Sequence, residues 1–256
     1  MNRLATFPAA ASVPAQPFGP GLPDAGVSVI LPTYNEAENI RVVISAVQAA
    51  LQDVPRHEIL VVDDDSPDGT WRIADDLGLL DRRIRCYRRL RERGLASAIF
   101  EGLTKANGDV LVVIDADLQH DPEVIPSLVT ALERADVAVA SRYASGGGTT
   151  SWPSARRWMS RLATSLGQWT LGLRIADPMS GFFAIRRRTF RSVEEQLRPR
   201  GFKALLEILS KARNARVTEV PYTFRPRRAG TSKLGPEVMI DYLLSLIELR
   251  FGSRAS

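Results

Sequence analysis

The sequence predicts an α/β fold in which a mostly parallel sheet is flanked by helices, all within a single domain. Short, unbroken apolar runs alternate along the chain with segments whose apolar residues recur at helical spacing. Strands that are apolar throughout are typical of a parallel sheet that is covered on both faces. A length of 256 residues suits one large domain, and the 45% of hydrophobic residues suffices for its core.

The first half of the chain follows this alternation regularly. Helical periodicity is clear where Ile40, Ile44 and Val47 share one face, and Pro122 marks the start of a later helix. An Asp-rich loop with Gly69 ends the second strand. The predicted strands are residues 27–31, 58–62, 83–87, 109–114 and 137–141, and the predicted helices are residues 40–51, 70–77, 95–106 and 123–133.

The pattern changes after Ser141, where a loop containing three consecutive glycines, 146–148, precedes a long helical segment. The predicted helices here are residues 154–173, 202–213 and 236–251, and the predicted strands are residues 182–185 and 217–224. We expect this half to extend the same sheet rather than to form a separate domain.

The two ends of the chain differ from its middle. Residues 1–25 contain five prolines among Ala and Gly, a composition that predicts a disordered tail. Residues 26–235 form the predicted domain. Residues 236–256 are predicted to form an amphipathic helix, which lies at a membrane interface or closes the core. No segment is long and apolar enough to predict a transmembrane helix, and no signal peptide is predicted.

Composition narrows the class of partner. The net charge of +5 and the pI near 9.7 suit polyanionic partners such as phosphorylated small molecules or an anionic membrane surface. Nucleic acid is disfavoured, because aromatic residues are not interleaved with a concentrated basic stripe. The single cysteine, Cys86, excludes an internal disulfide and favours a reducing compartment. We expect a cytoplasmic protein that lies peripherally at the cytoplasmic face of a membrane.

Two carboxylates follow the fourth predicted strand. Asp115 and Asp117 are separated by one alanine, and side chains two apart on an extended chain point the same way. Such a pair at the carboxyl end of a sheet suits Mg²⁺ or Mn²⁺, with the amide oxygen of Gln119 as a third ligand. The alternative is that these acids are solvated turn residues. His120 is expected to be a loop residue rather than a ligand.

Two earlier loops also carry candidate ligands. Tyr34 is placed to pack on a base or sugar, and Glu36 to accept from ribose, although Asn35 and Glu36 equally predict an N-capped helix. Asp63 ends the second strand and is expected to accept hydrogen bonds from a base or ribose. Asp68 is expected to cap the following helix.

The ordered set of motifs resembles the family-2 inverting glycosyltransferases, and within them the polyprenol-phosphate mannosyltransferase branch. The resemblance covers residues 27–234. It rests on these segments, in chain order: Pro32-Thr33-Tyr34-Asn35-Glu36, Val61-Val62-Asp63-Asp64, Ser66-Pro67-Asp68-Gly69-Thr70, Asp115-Ala116-Asp117-Leu118-Gln119-His120, Asp177-Pro178-Met179-Ser180-Gly181-Phe182-Phe183, Gly201-Phe202-Lys203 and Arg227-x-x-Gly230-x-Ser232-Lys233-Leu234. Asp65 departs from the Asn usual in that loop, and Leu95-Ala96-Ser97 departs from a Gly-rich run.

The resemblance implies a GT-A (Rossmann-like) fold, GDP-mannose as donor, Mg²⁺ or Mn²⁺ as cofactor, and a polyprenyl phosphate that is mannosylated with inversion. It implies three groups of site residues. The donor contacts are Pro32, Tyr34, Glu36, Val62, Asp63, Asp115 and Ala116; the metal ligands are Asp115, Asp117 and Gln119; the acceptor-phosphate contacts are Arg142, Arg156, Ser160, Arg227 and Lys233. Of these, Asp117, Arg142 and Arg227 are the residues expected to be catalytic.

The expected chemistry fits the residue types. A phosphate monoester has its second pKa near ~6, so it attacks the sugar as an anion without a general base. Three alternatives remain open from the sequence alone. They are a UDP-glucose-dependent transferase of the same fold, a catalytically silent nucleotide-sugar-binding subunit, and a nucleotidyltransferase. A nucleotidyltransferase usually has a Gly-rich basic loop near its amino terminus, and the segment Pro32–Glu36 is not such a loop. A small membrane subunit is a possible partner.

Overall fold

The computed structural model describes residues 26–149, 175–198 and 204–226, and within them it confirms the predicted α/β fold. A seven-stranded sheet carries helices on both faces. The strands described are β1 (Val27–Thr33), β2 (His57–Asp63), β3 (Ile84–Arg88), β4 (Val110–Val113), β5 (Val137–Ser141), β6 (Gly148–Thr149), β7 (Phe183–Arg186), β8 (Val217–Pro221) and β9 (Thr223–Phe224).

The described helices alternate with these strands through the first half of the chain. They are α1 (Ile40–Ala50), α2 (Thr70–Leu80), α3 (Leu95–Lys105), α4 (Ile125–Ala131), α5 (Arg187–Arg191) and α6 (Ala204–Lys211). Short 3-10 turns, Pro122–Val124 and Glu194–Gln196, precede α4 and follow α5. The sequence did not predict α5, which begins directly at the end of β7.

The sheet order is β3-β2-β1-β4-β7-β5-β8, and β7 alone runs antiparallel to its neighbours. The pairing of β1 with β2 runs from Val27↔His57 to Thr33↔Asp63, so both strands end at the same edge. β4 lies on the other side of β1 and ends at that edge too. The loops after β1, β2 and β4, which carry the candidate site residues, therefore meet at the carboxyl edge of the sheet.

Two apolar layers cover the sheet. Val29 and Leu31 of β1 belong to the core on the side of α1 and α4, whereas Ile30 belongs to the core on the side of α3 and α6. All seven β1 residues are buried. Burial on both faces explains why this strand is apolar throughout rather than alternating.

The predicted strand 217–224 is wrong in one respect, because the chain changes sheet inside it. β8 pairs with β5, whereas β9 pairs with β6 in a separate two-stranded sheet. Tyr222, between the two strands, is buried and turned inward toward the site described below.

The predicted tail 1–25, the helix 154–173 and the carboxyl-terminal helix 236–251 lie outside the described residues. Within the residues that are described, no helix is long and apolar enough to cross a membrane.

Gly108 is predicted to be intolerant of even one methyl group. A Cβ at this position would lie 2.5 Å from the Gly26 carbonyl oxygen and 2.7 Å from the Ser28 nitrogen, both of them backbone atoms. We expect Gly108→Ala to lower the free energy of unfolding by about 1–3 kcal/mol, measured by urea denaturation. Gly148→Ala is the matched control, because its Cβ would meet nothing within 4 Å. Equal stability of the two variants would contradict the packing at the start of β4.

Candidate active site

The loops after β1 and β2 are joined by a series of hydrogen bonds. The backbone N–H of Asn35 donates to Ser66 Oγ at 2.9 Å, and the N–H of Glu36 donates to Thr70 Oγ1 at 2.9 Å. The N–H of Ala37 donates to Asp68 Oδ2 at 3.0 Å. Polar side chains of the second loop thus satisfy the backbone of the first, and the two loops form one rigid edge.

Asp63 is fully buried at the end of β2, and its carboxylate is used within the protein. Its Oδ1 accepts from the Ser66 N–H at 2.8 Å, and its Oδ2 accepts from the hydroxyls of Thr33 (2.8 Å) and Ser66 (2.7 Å). In this structure Asp63 therefore shapes the loop. Its predicted contact with the nucleotide stays a prediction.

Asp68 joins the start of α2 to the first loop. Its Oδ1 accepts from the N–H and hydroxyl of Thr70, the first residue of that helix. Burial opposes ionisation, but the hydrogen bonds from Thr70 and Ala37 outweigh it and hold the pKa of Asp68 below its ordinary value. The N-cap residue of α2 is Gly69, so Asp68 holds the start of the helix from the position before the cap and is not the cap that was expected. Asn35 does not cap α1, which begins at Ile40; Asn35 instead adopts a left-handed turn at φ 59°.

The other predicted donor contacts lie along the same edge. Pro32 and Val62 are paired across β1 and β2 and are both buried, so their side chains have packing roles. Tyr34 and Glu36 are partly exposed. The Arg93 guanidinium lies 5.4 Å from the centre of the Tyr34 ring, within reach of a cation–π interaction.

Arg89 was not predicted, yet it organises this part of the site. Its buried guanidinium lies 2.9 Å from Asp64 Oδ1 and 3.1 Å from Glu101 Oε2, and it donates to Ser97 Oγ at 2.7 Å. Burial raises the pKa of Asp64 despite these partners. Ser97 belongs to the run that departs from the Gly-rich family pattern, and its hydroxyl anchors Arg89 to α3.

Asp115 and Asp117 lie in a turn. The assumption that they lie on an extended chain, from which we expected their side chains to point the same way, was therefore wrong. β4 ends at Val113, and Leu118 adopts a left-handed conformation at φ 61°. Asp117 is buried and its Oδ1 accepts from the Gln119 N–H at 3.0 Å, whereas the Asp115 side chain is 31% exposed. Ala116, between them, is buried.

The carboxylate of Asp115 fits closely against a glycine of the loop before β7. A Cβ at Gly181 would lie 2.7 Å from Asp115 Oδ2, so only glycine leaves room there. His120 lies on the other side, with Nε2 at 3.3 Å from the same oxygen. His120 lies in a loop, as expected, but its burial (4% exposed) was not predicted.

Gln119 is fixed by the strand region beyond β9. Its carbonyl oxygen accepts from the Arg225 N–H at 2.9 Å, and its Nε2 donates to the Arg225 carbonyl oxygen at 3.2 Å. The Arg225 guanidinium forms an ion pair with Asp121. The turn that carries the acid pair is thus held from the second half of the chain.

Arg142 follows β5 and forms a bidentate ion pair with Asp177. Its Nε and Nη2 donate to the two carboxylate oxygens at 2.7 Å each, and its backbone N–H donates at 3.1 Å. Burial opposes the charge, but the hydrogen bonds to Asp177 raise the pKa of Arg142 above its ordinary value. Glu219 of β8 accepts from the N–H groups of Ala176 and Asp177, which holds this loop in place.

The remaining predicted acceptor contacts, Arg156, Ser160, Arg227 and Lys233, lie outside the described residues. Among the described residues no group of three or more His, Cys, Asp and Glu side chains is arranged to hold a metal ion. Two carboxylates and an amide oxygen form a smaller, hard oxygen donor set. That set fits Mg²⁺ or Mn²⁺ in the mode in which substrate phosphates and waters complete the coordination.

A mostly parallel sheet with an Asp-Ala-Asp turn after a central strand defines a GT-A glycosyltransferase. The family profile described as glycosyl transferase family 2 matches residues 28–193, more than half of the chain. The chain belongs to glycosyl transferase family 2, as the motifs predicted.

Named relatives and a solved structure agree with this assignment. A dolichol-phosphate mannosyltransferase from Pyrococcus furiosus is 47% identical over 226 residues, which cover 87% of this chain and 63% of that protein. A protein of the same name from Saccharomyces cerevisiae is 38% identical, with 88% of each chain covered. A mannosyltransferase from Pyrobaculum calidifontis, solved with GDP-mannose and Mn²⁺, shares the fold with a TM-score of 0.61 at 19% identity, covering 90% of this chain and 65% of that one.

Gly181→Ala is predicted to impair catalysis by displacing Asp115. The added methyl group would force the Asp115 carboxylate to rotate, and misplacement of a reacting group by about 1 Å costs about 10²-fold in rate. We expect glycosyltransferase activity to fall by about 10²-fold while Gly148→Ala keeps the activity of the unchanged chain. Normal activity of Gly181→Ala would show that the position of Asp115 does not matter.

Asp177→Asn is predicted to destabilise the fold, because it leaves the buried Arg142 charge without a counterion. Removing one partner of a buried ion pair costs about 3–5 kcal/mol. Urea denaturation measures the loss. Asp81→Asn is the matched control, since its partner Arg83 is exposed and such pairs contribute little. Similar unfolding of both variants would contradict the structural role of the Arg142–Asp177 pair.

Proposed function

We propose that this protein transfers mannose from GDP-mannose to a polyprenyl phosphate with inversion, giving a β-linked product. The observation that carries the proposal is the turn Asp115-Ala116-Asp117, held between Gly181 and Gln119 where β4 ends. The relatives named dolichol-phosphate mannosyltransferase support the sugar and the acceptor class. The chain spans 63% of the length of the Pyrococcus protein and 88% of the yeast protein.

The proposed cation, Mg²⁺ or Mn²⁺, is held by Asp115, Asp117 and Gln119. When bound, it neutralises the charge that develops on the leaving diphosphate. The protein contributes a fixed position for these oxygens, because Gly181 and His120 confine Asp115 and the Arg225 backbone confines Gln119. The presence of Mn²⁺ in the related Pyrobaculum structure supports a divalent cation here.

The proposed donor binds along the carboxyl edge of the sheet, against Pro32, Tyr34, Glu36, Val62 and Asp63. The partly exposed ring of Tyr34 offers a flat surface to the base or the sugar. Because Asp63 and Val62 are buried, their proposed contribution is to set the backbone on which the nucleotide lies. The hydrogen bonds between the two loops keep that surface rigid before the donor arrives.

The acceptor phosphate is proposed to meet a set of cationic and hydroxyl side chains: Arg142, Arg156, Ser160, Arg227 and Lys233. Arginine suits this role because its planar fork binds phosphate oxygens in a bidentate manner. Asp177 holds Nε and Nη2 of Arg142 and balances its charge, so the proposed phosphate contact comes from an arginine of fixed position rather than from a mobile side chain. The phosphate attacks as an anion, so positioning is the main contribution of the protein.

A lipid acceptor requires access to a membrane. We propose that residues 236–256 form the amphipathic helix that provides it, at the cytoplasmic face, alone or with a small membrane subunit. The apolar residues of this segment recur at helical spacing and are flanked by Lys233, Arg250 and Arg254, which supports an anionic lipid surface as its partner.

The decisive experiment incubates the protein with labelled GDP-mannose, a short polyprenyl phosphate and Mn²⁺ and measures label that partitions into butanol. We expect cation-dependent lipid label, and its loss by at least about 10²-fold in Asp117→Asn, which keeps the shape of the side chain. Asp136→Asn, at an exposed ion pair remote from the turn, is the control. If lipid label appeared only with labelled UDP-glucose, the proposed donor would be wrong and the type of transfer would stand. No lipid label from any donor would reject the proposed transfer.

A further inference from the structure

The imidazole of His120 connects two polar groups that come from distant parts of the chain. Its Nε2 lies 3.3 Å from Asp115 Oδ2, and its Nδ1 lies 2.9 Å from the hydroxyl oxygen of Tyr222. His120 and Tyr222 are 102 positions apart in sequence and are almost completely buried. Both polar atoms of the ring therefore face specific partners.

Three aromatic rings fix the plane of this imidazole. The centre of the His120 ring lies 5.5 Å from that of Phe182, 5.5 Å from that of Tyr222 and 5.2 Å from that of Phe224. Phe182 and Phe224 meet the ring edge to face, whereas Tyr222 is stacked on it. A ring enclosed in this way cannot turn without disturbing its neighbours.

The Tyr222–His120 contact is a hydrogen bond and the His120–Asp115 contact is an ion-pair distance of 3.3 Å, and the positions of the hydrogens follow from the chemistry of the three groups. A carboxylate only accepts, so favourable contact with Asp115 requires the hydrogen on Nε2. The Nδ1 of a neutral imidazole then accepts, and the Tyr222 hydroxyl donates to it. Burial raises the pKa of Tyr222 well above its ordinary value, so the phenol keeps its hydrogen.

We propose that His120, fixed by Tyr222, is a positioning residue that orients the Asp115 carboxylate for the cation. His120 Nε2 lies 3.3 Å from Asp115 Oδ2, and Gly181 leaves room for that oxygen where a Cβ would lie 2.7 Å from it. This inference rests on the proposed function, because it takes Asp115 as a cation ligand. Mutation of a group that orients a metal ligand without touching the metal typically lowers the metal affinity by about 10–100-fold.

The aromatic rings around His120 also reach the acceptor side of the site. The Phe224 ring, which contacts His120, lies 5.6 Å from the Arg142 guanidinium. Phe182 follows the loop that begins with Asp177, the partner of Arg142. One aromatic cluster thus contacts both His120, which lies beside the Asp115 carboxylate, and Arg142.

Two substitutions at His120 separate positioning from packing. The amide nitrogen of Gln in His120→Gln reaches the place of Nε2 and can donate to Asp115, whereas that of Asn in His120→Asn reaches only the place of Nδ1. We expect His120→Asn to raise the Kd of Mn²⁺ by about 10-fold or more, and His120→Gln to restore most of the affinity. The measurement is electron paramagnetic resonance of free Mn²⁺ titrated into the full chain with GDP.

A second pair of variants tests the role of the phenol. Tyr222→Phe removes the hydroxyl that holds His120 and that also hydrogen-bonds with Ser180, and we expect it to raise the Kd of Mn²⁺ as well. Tyr87→Phe makes the same chemical change on β3, where Lys105 Nζ lies 4.1 Å from the centre of the ring, and should leave the Kd unchanged. At saturating Mn²⁺ the transfer rate of Tyr222→Phe should recover, because the defect lies in cation binding.

The outcomes distinguish this inference from the proposed function. Equal loss of Mn²⁺ affinity in His120→Asn and His120→Gln, or equal behaviour of Tyr222→Phe and Tyr87→Phe, would overturn the positioning role alone. Failure of the unchanged chain to bind Mn²⁺ with GDP would overturn the cation site and the positioning role together. Thermal unfolding of each variant confirms that the comparison is made between folded proteins.

Discussion

Burial of the central strands on both faces is the constraint on which the rest of the structure depends. β1 and β4 pair in register from Val27↔Val110 to Ile30↔Val113, and every residue of both is buried. A shift of one residue would move each side chain to the opposite apolar layer, so the register is strongly specified. The register fixes the edge at which the strands end, and with it the place of the turn at Asp115.

Carboxylates that hold backbone N–H groups then convert this edge into a rigid site. Asp63 accepts from the Ser66 N–H, Asp68 from the Ala37 N–H, and Asp177 from the Arg142 N–H. Several acids of the sequence motifs therefore form the loops rather than face a ligand. Such preorganisation matters for phosphoryl and glycosyl chemistry, because the protein acts mainly by positioning charged groups.

The strands and most helices could be predicted from local sequence pattern, because burial on two faces makes a strand continuously apolar. The strand β5, for example, was predicted with both of its ends correct. The division between β8 and β9 does not follow, since Tyr222 turns inward to reach His120, 102 positions away. Arg89 and His120 were missed for the same reason: a buried arginine or histidine has no signature in sequence until its partners are known. The roles of Arg156, Ser160, Arg227 and Lys233 stay predictions based on family resemblance.

The most direct test of the account is to locate the cation. Crystals grown with Mn²⁺ and GDP would be measured at the manganese absorption edge. We expect one anomalous peak bonded to carboxylate oxygens of the Asp115–Asp117 turn, at about 2.0–2.6 Å, with the diphosphate on its other side. A peak elsewhere, or a bound GDP whose diphosphate lies away from this turn, would contradict the proposed site.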